Sequence, residues 1–243
     1  MADIKVFVVD DSALVRKILT TQLAKYPGLE VIGQAADPYE ARDKIVVNKP
    51  DVMILDIEMP RMDGLTFLAK LMKSFPIPEI IVSSLSKKGS DVAVRALELG
   101  AVDVMAKPSG SYSVVDMVDE LVEKIKAASF ISVNTLKKRF EENQEVIKAQ
   151  TASNAVFKTT DKIIAIGSST GGTEAVKDLL IGLPSNVPPI VITQHMPPNF
   201  TKSWADRLNN LCQMEVREAQ NGDEVAPGKA LIAPGGYHMT IRR

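Results

Sequence analysis

DVMILD, residues 51–56, is an apolar run that ends on an acid, and its character decides the fold of the first half of the chain. It reads as a strand. Four further runs rich in β-branched residues share its pattern: KVFVVD (5–10), VIGQAA (31–36), EIIVSS (79–84) and AVDVMA (101–106). The stretches between them carry apolar residues at helical spacing, as Leu14, Val15, Ile18, Leu19 and Leu23 do. Five strands alternating with helices imply a parallel sheet covered on both faces, with any ligand beyond the carboxyl ends of the strands.

Those ends carry chemistry. Asp10 and Asp11 close the first strand and Asp56 the third, so three carboxylates meet at one rim. Like charges that close are costly unless a cation joins them, and hard oxygen ligands in this number suit Mg²⁺. Ser83 ends the fourth strand, and Lys107 follows the fifth, where Pro108 fixes the chain. A carboxylate nucleophile, a metal, a lysine and a hydroxyl supply what phosphoryl transfer needs, with Asp56 as acceptor. The plainer alternative makes Asp10 and Asp11 caps of the first helix, which explains neither Asp56 nor Lys107.

DDS at the first strand end, DIEMPRMDG around Asp56, Ser83 and the run LELGAVDVMAKP together resemble a response-regulator receiver domain over roughly the first 125 residues. The resemblance implies that Asp56 takes a phosphoryl group from a histidine kinase, that Asp10, Asp11 and Asp56 hold Mg²⁺, that Lys107 pairs with the phosphoryl oxygens, and that Ser83 senses them. Val104 departs from the family, which commonly has an aromatic switch three residues before the lysine. A valine cannot swing in and out as a ring does.

After Ala128 the pattern changes. NTLKKRFEENQEVIKAQ (134–150) is polar with sparse apolar anchors, and TASNAVFKTT (151–160) is small and hydroxylated. The expected division is a receiver over 1–128, a partly helical linker over 129–160 and a catalytic domain over 161–243. A terminal helix of the first domain is an equal alternative for the first half of that linker. From Lys162 a second α/β pattern begins, with KIIAIG, PPIVITQ and KALIAP as strands and TEAVKDLLIGL and FTKSWADRLNNL as helices. The fold class expected is therefore α/β, two domains with mainly parallel doubly wound sheets, the first flavodoxin-like and the second Rossmann-like. The second carries too few strands for a closed sheet and is expected to be incomplete, part of a longer hydrolase.

Gly167-Ser168-Ser169-Thr170-Gly171 fits G-x-S-x-G between a strand and a helix, where a tight, strained turn lifts Ser169 clear of the sheet. The amide of Thr170, placed at the helix start, is expected to face the oxyanion of a tetrahedral intermediate. Of the two histidines, His195 directly follows the next strand and is the expected base, whereas His238, in PGGYHMTI, falls in a turn and is expected to pack or hydrogen-bond there. Small residues at a helix start also bind anions. A P-loop, however, needs Lys and then Ser or Thr after its glycine, and here Gly172 is followed by Thr173 and Glu174.

Behind a receiver, the set IGSSTGGTEA, ITQHMPPNF and IAPGGYHM resembles the chemotaxis-specific protein-glutamate methylesterases, which are also protein-glutamine glutaminases. The resemblance implies a phosphorylation-activated Ser-His-Asp hydrolase with no cofactor in its catalytic domain. Ser169 attacks the γ-methyl ester of a glutamyl side chain on a methyl-accepting chemotaxis receptor, His195 shuttles the proton, and Thr170 lines the oxyanion site. In that family the triad acid comes from a Gly-Met-rich loop late in the domain. Asp178, Asp206 and Asp223 do not match that loop, so a segment ending at Arg243 is expected to be impaired on its own. The competing class is a response regulator whose second half binds a partner without chemistry.

The totals exclude other classes. A formal charge of −1 gives no field toward nucleic acid or anionic membrane, and the second half has no clustered basic helix. The acidic start MADIKVFVVDD is unlike a signal peptide, and no run reaches the ~18 apolar residues of a membrane span, so a cytoplasmic location without membrane insertion is expected. A single cysteine, Cys212, forms no internal disulfide and reads as a packing residue. Trp204 reads as a core residue of its amphipathic helix in preference to a receptor contact.

Overall fold

A computed structural model of the chain describes residues 2–84, 86–107, 114–145 and 162–242. The first sheet contains β1 (Ile4–Val9), β2 (Leu29–Ala35), β3 (Val52–Asp56), β4 (Glu79–Ser83) and β5 (Asp103–Ala106), all parallel in the order β2-β1-β3-β4-β5. Its helices are α1 (Ala13–Leu23), α2 (Pro38–Val47), α3 (Gly64–Ser74), α4 (Lys87–Glu98) and α5 (Val114–Ser129). β3, β4 and β5 are buried at every residue, which is why their sequences run apolar without alternation. The strand order reverses between β1 and β3, and a doubly wound sheet opens its crevice at such a switch point. Asp10 and Asp56 stand on either side of it.

The segment after α5 differs from a plain tether. α6 (Val133–Glu145) packs on α3 and buries Leu136 to 1% exposure, while Phe130 in the preceding turn stays exposed. The first half of the expected linker is thus a helix resting on the receiver, the alternative raised by its sparse apolar anchors.

The second sheet is formed by β6 (Ile164–Ser168), β7 (Ile190–Gln194), β8 (Glu215–Glu218) and β9 (Lys229–Ile232), again all parallel, in the order β6-β7-β9-β8. Its helices are α7 (Gly172–Ile181) and α8 (Phe200–Leu211). β8 was not visible in the sequence. Glu215, Arg217 and Glu218 surround Val216, the one buried residue of the strand, so this edge strand reads as a charged loop. α8 covers it with Phe200, Trp204 and Leu208, all buried, which makes Trp204 a core residue. Among the described residues, no helix is long and apolar enough to cross a membrane.

Candidate functional site

At the first rim the carboxylate oxygens of Asp10, Asp11 and Asp56 come within 4.8 Å of one another. Asp56 is 0% exposed and Asp10 2%, while Asp11 faces solvent. Lys107 Nζ reaches in from the end of β5, 2.7 Å from Asp56 Oδ2 and 3.1 Å from Asp10 Oδ2. Asp56 Oδ2 accepts no well-directed hydrogen bond despite its burial, so the lysine contact is an ion pair and the oxygen keeps acceptor capacity. Burial pushes the Asp56 carboxyl above its usual range, Lys107 opposes this, and Asp10 pushes it further up. Burial pulls the other way on Lys107, yet Asp56 and Asp10 outweigh it and hold the ammonium above its usual value. One cation against three carboxylates leaves the pocket short of positive charge. Three carboxylates converging within 4.8 Å fit a hard divalent ion of the Mg²⁺ kind.

Neither aspartate of the DDS run caps α1. Ser12 does, its Oγ accepting from Val15 N at 3.4 Å, and Asp10 Oδ1 accepts from Ser12 N at 2.8 Å. Arg16 Nη1 donates to the main-chain carbonyls of Asp10 and Asp11 at 2.7 and 3.0 Å, fixing the backbone that carries both acids. Ser83 is buried at the end of β4, and its carbonyl accepts from Lys107 N at 2.8 Å. Val104 is buried within β5. Pro108 lies outside the described residues. Sequence inspection overlooked Arg61, a non-glycine residue at φ +69° that pairs with Asp37, the N-cap of α2, and so ties two loops of this rim together.

The second rim separates the two serines. β6 and β7 pair with Gly167 opposite Thr193 and Ser168 opposite Gln194, and His195 N donates to the Ser168 carbonyl at 3.0 Å. Ser169 and His195 are therefore the first residues beyond two neighbouring strand ends. Ser168 Oγ is bound to Gln194 Oε1 at 2.5 Å, and Gln194 Nε2 donates to the Ser169 carbonyl at 3.0 Å. Gln194 thus occupies the Ser168 hydroxyl and fixes the peptide of Ser169, whose side chain belongs to an exposed residue. No signal in the sequence marked Gln194 for this task.

The turn differs in detail from the strained elbow expected. Among the described residues the non-glycine positions at positive φ are Arg61 and Asn199, so Ser169 is not in the left-handed region. The demand for glycine falls after the serines. Gly171 sits at φ +75° as the N-cap of α7, and a Cβ on Gly172 would come within 2.6 Å of Ser168 Cβ. Thr170 precedes that cap, so it lies in the turn, outside the helix proper.

His238 does not pack in its turn. It is exposed on the wall of a cleft of about 530 Å³ that is also lined by Ser168, Gln194, His195 and Tyr237. Asp178 and Asp206 are exposed, the latter paired with Lys202 at 2.6 Å, as expected of solvated helix faces. Asp223 is engaged by Arg217 Nη2 at 2.6 Å and by Gln220 N at 2.8 Å. Cys212 follows α8 half-buried, and burial pushes its thiol up to about 11, in keeping with packing.

Comparison with known proteins places both halves. Residues 6–119 match the response regulator receiver domain family, and residues 164–243 match the CheB methylesterase family. A protein-glutamate methylesterase/protein-glutamine glutaminase 2 of Syntrophus aciditrophicus is 56% identical, covering 100% of this chain and 70% of that protein. The protein-glutamate methylesterase/protein-glutamine glutaminase of Bdellovibrio bacteriovorus is 49% identical, over 99% of this chain and 68% of that protein.

The chain belongs to the protein-glutamate methylesterase/protein-glutamine glutaminase family. Among solved structures, the response regulator domain of Thermotoga maritima CheB is 42% identical and covers 54% of this chain and 98% of its own, with a TM-score of 0.49. Membership of this methylesterase family accounts for a receiver and a hydrolase-type serine turn in one polypeptide.

Proposed function

We propose that the chain is a phosphorylation-activated hydrolase that demethylates glutamate γ-methyl esters, and deamidates glutamines, on methyl-accepting chemotaxis receptors. The observation that carries this is the β6–β7 register, which sets Ser169 and His195 side by side while Gln194 holds Ser168. Ser169 Oγ attacks the side-chain carbonyl carbon as His195 takes the hydroxyl proton, and the proton passes to departing methanol, or to ammonia from a glutamine. Water then attacks the acyl group, giving glutamate and regenerating the serine. Thr170 lines the oxyanion site from the turn. The relatives' names, both those of hydrolases, favour this over a second half that only binds a partner.

At the other rim Asp56 receives the phosphoryl group from a chemotaxis histidine kinase. Asp10, Asp11 and Asp56 would hold Mg²⁺, which when bound would supply charge neutralisation; Lys107 pairs with the phosphoryl oxygens, and Ser83 lies at the neighbouring strand end to sense them. Because the segment ending at Arg243 is expected to be impaired on its own, the test measures methanol release from methylated receptor by the full-length protein, with and without a small phosphodonor. Ser169→Ala should abolish release, Ser168→Ala should retain most of it, and phosphodonor should accelerate it only while Asp56 is intact. Activity that survives Ser169→Ala but not Ser168→Ala would assign the nucleophile to Ser168 and overturn this reading.

A further inference from the structure

The loop after β9, Pro234–Met239, is held more firmly than an exposed loop needs to be. Thr201, fully buried at the start of α8, donates from Oγ1 to Glu218 Oε1 at 2.6 Å and accepts from Gly235 N at 2.9 Å. One hydroxyl therefore links a helix start, the end of β8 and this loop. Gly235 is pressed so closely on the turn after His195 that a Cβ would lie 2.6 Å from the Pro197 carbonyl oxygen and 2.7 Å from that of Met196. The Ala233 amide donates to Ile192 on β7 at 2.8 Å, and Tyr237 N closes a turn on Pro234 at 3.1 Å.

What this anchored loop displays is an aromatic ring 76% exposed, Tyr237, followed by the exposed imidazole of His238, both on the wall of the cleft that His195 lines. A fixed, amphipathic ring on the wall of that cleft is well suited to cover a partner at low entropy cost. β9 is the direct neighbour of β7, so this wall flanks His195 on the side away from β6.

We infer that Tyr237 and His238 are specificity-determining residues that contact the polypeptide carrying the scissile side chain, the ring covering its apolar flank and the imidazole bonding its polar groups. Thr201 is the positioning residue that keeps them aimed. This rests on the assignment of Ser169 and His195 above. It is tested by binding in a Ser169→Ala background, where no turnover intrudes and a failure of the catalytic assignment leaves the result readable.

The probe is a purified, methylated cytoplasmic fragment of a chemotaxis receptor. A benzophenone amino acid placed at Tyr237 should cross-link to the fragment, and the same group at exposed Leu179 on α7 should not. Tyr237→Ala and His238→Ala should each weaken binding about tenfold, Tyr237→Phe should restore most of it, and Trp204 fluorescence should stay unchanged. Cross-linking at 237 only within the chain itself, equal cross-linking at both positions, or unchanged affinity in both alanine variants would overturn the inference.

Discussion

Replacing Glu79 by glutamine should stabilise the receiver, and by an amount that grows with pH. Glu79 begins β4, is 0% exposed, and among the described residues neither of its carboxylate oxygens has a hydrogen-bond partner. Lys124, a buried cation of the same domain, is engaged by other acids, 2.8 Å from Asp103 and 3.6 Å from Glu120. Burial therefore holds the Glu79 carboxyl well above the usual 4.5, protonated in the fold. An unfolded chain ionises the same group above about that value, so across the interval the native state binds one proton more than the unfolded state. Stability then falls as pH rises, by about 1.4 kcal/mol per pH unit, until the folded carboxyl ionises.

Glutamine has the same shape and no ionisation, so Glu79→Gln removes that slope. The variant's advantage should widen by about 1.4 kcal/mol between about pH 5 and pH 6. Urea unfolding followed by far-UV circular dichroism reads the receiver transition. Trp204, the single tryptophan, is buried under β8 and reports the second sheet as an internal control that should not move. A gap between wild type and variant that stays constant across this pH range would refute the reasoning, because it would mean that Glu79 titrates alike in both states.

Asp103→Ala should cost the receiver about 3 kcal/mol, near the low end for a broken buried pair because Glu120 still lies close to Lys124, and Asp103→Leu with Lys124→Met should recover most of it in the same urea assay. Gly172→Ala should lower the urea midpoint seen by Trp204 fluorescence, by about 1–3 kcal/mol, since the added Cβ meets Ser168 Cβ at 2.6 Å and Gln194 Oε1 at 2.7 Å, while the receiver transition stays put.

Legibility followed the range of the interaction. α8 matched its sequence segment residue for residue because an amphipathic period is local, and β3 and β4 were readable because central parallel strands are apolar on both faces. β8 was hidden because an edge strand with one buried residue leaves no run to find. The roles of Gln194 and Thr201 were hidden for another reason: their partners Ser168 and Gly235 lie 26 and 34 residues away, and only the folded sheet brings them together. The exposure of His238 was not legible because a turn rich in Pro and Gly says where the chain bends and nothing of which way the next ring faces.

The division of labour at the start of α1 has a lasting effect on how the first rim operates. With Ser12 closing the helix and Arg16 clamping the carbonyls of the two acids, Asp10 gives only its Oδ1 to the Ser12 amide and keeps Oδ2 turned to Lys107. That oxygen and the exposed Asp11 carboxylate can exchange one counter-ion for another while the coil behind them keeps its Ser12 cap, which contributes about 1 kcal/mol.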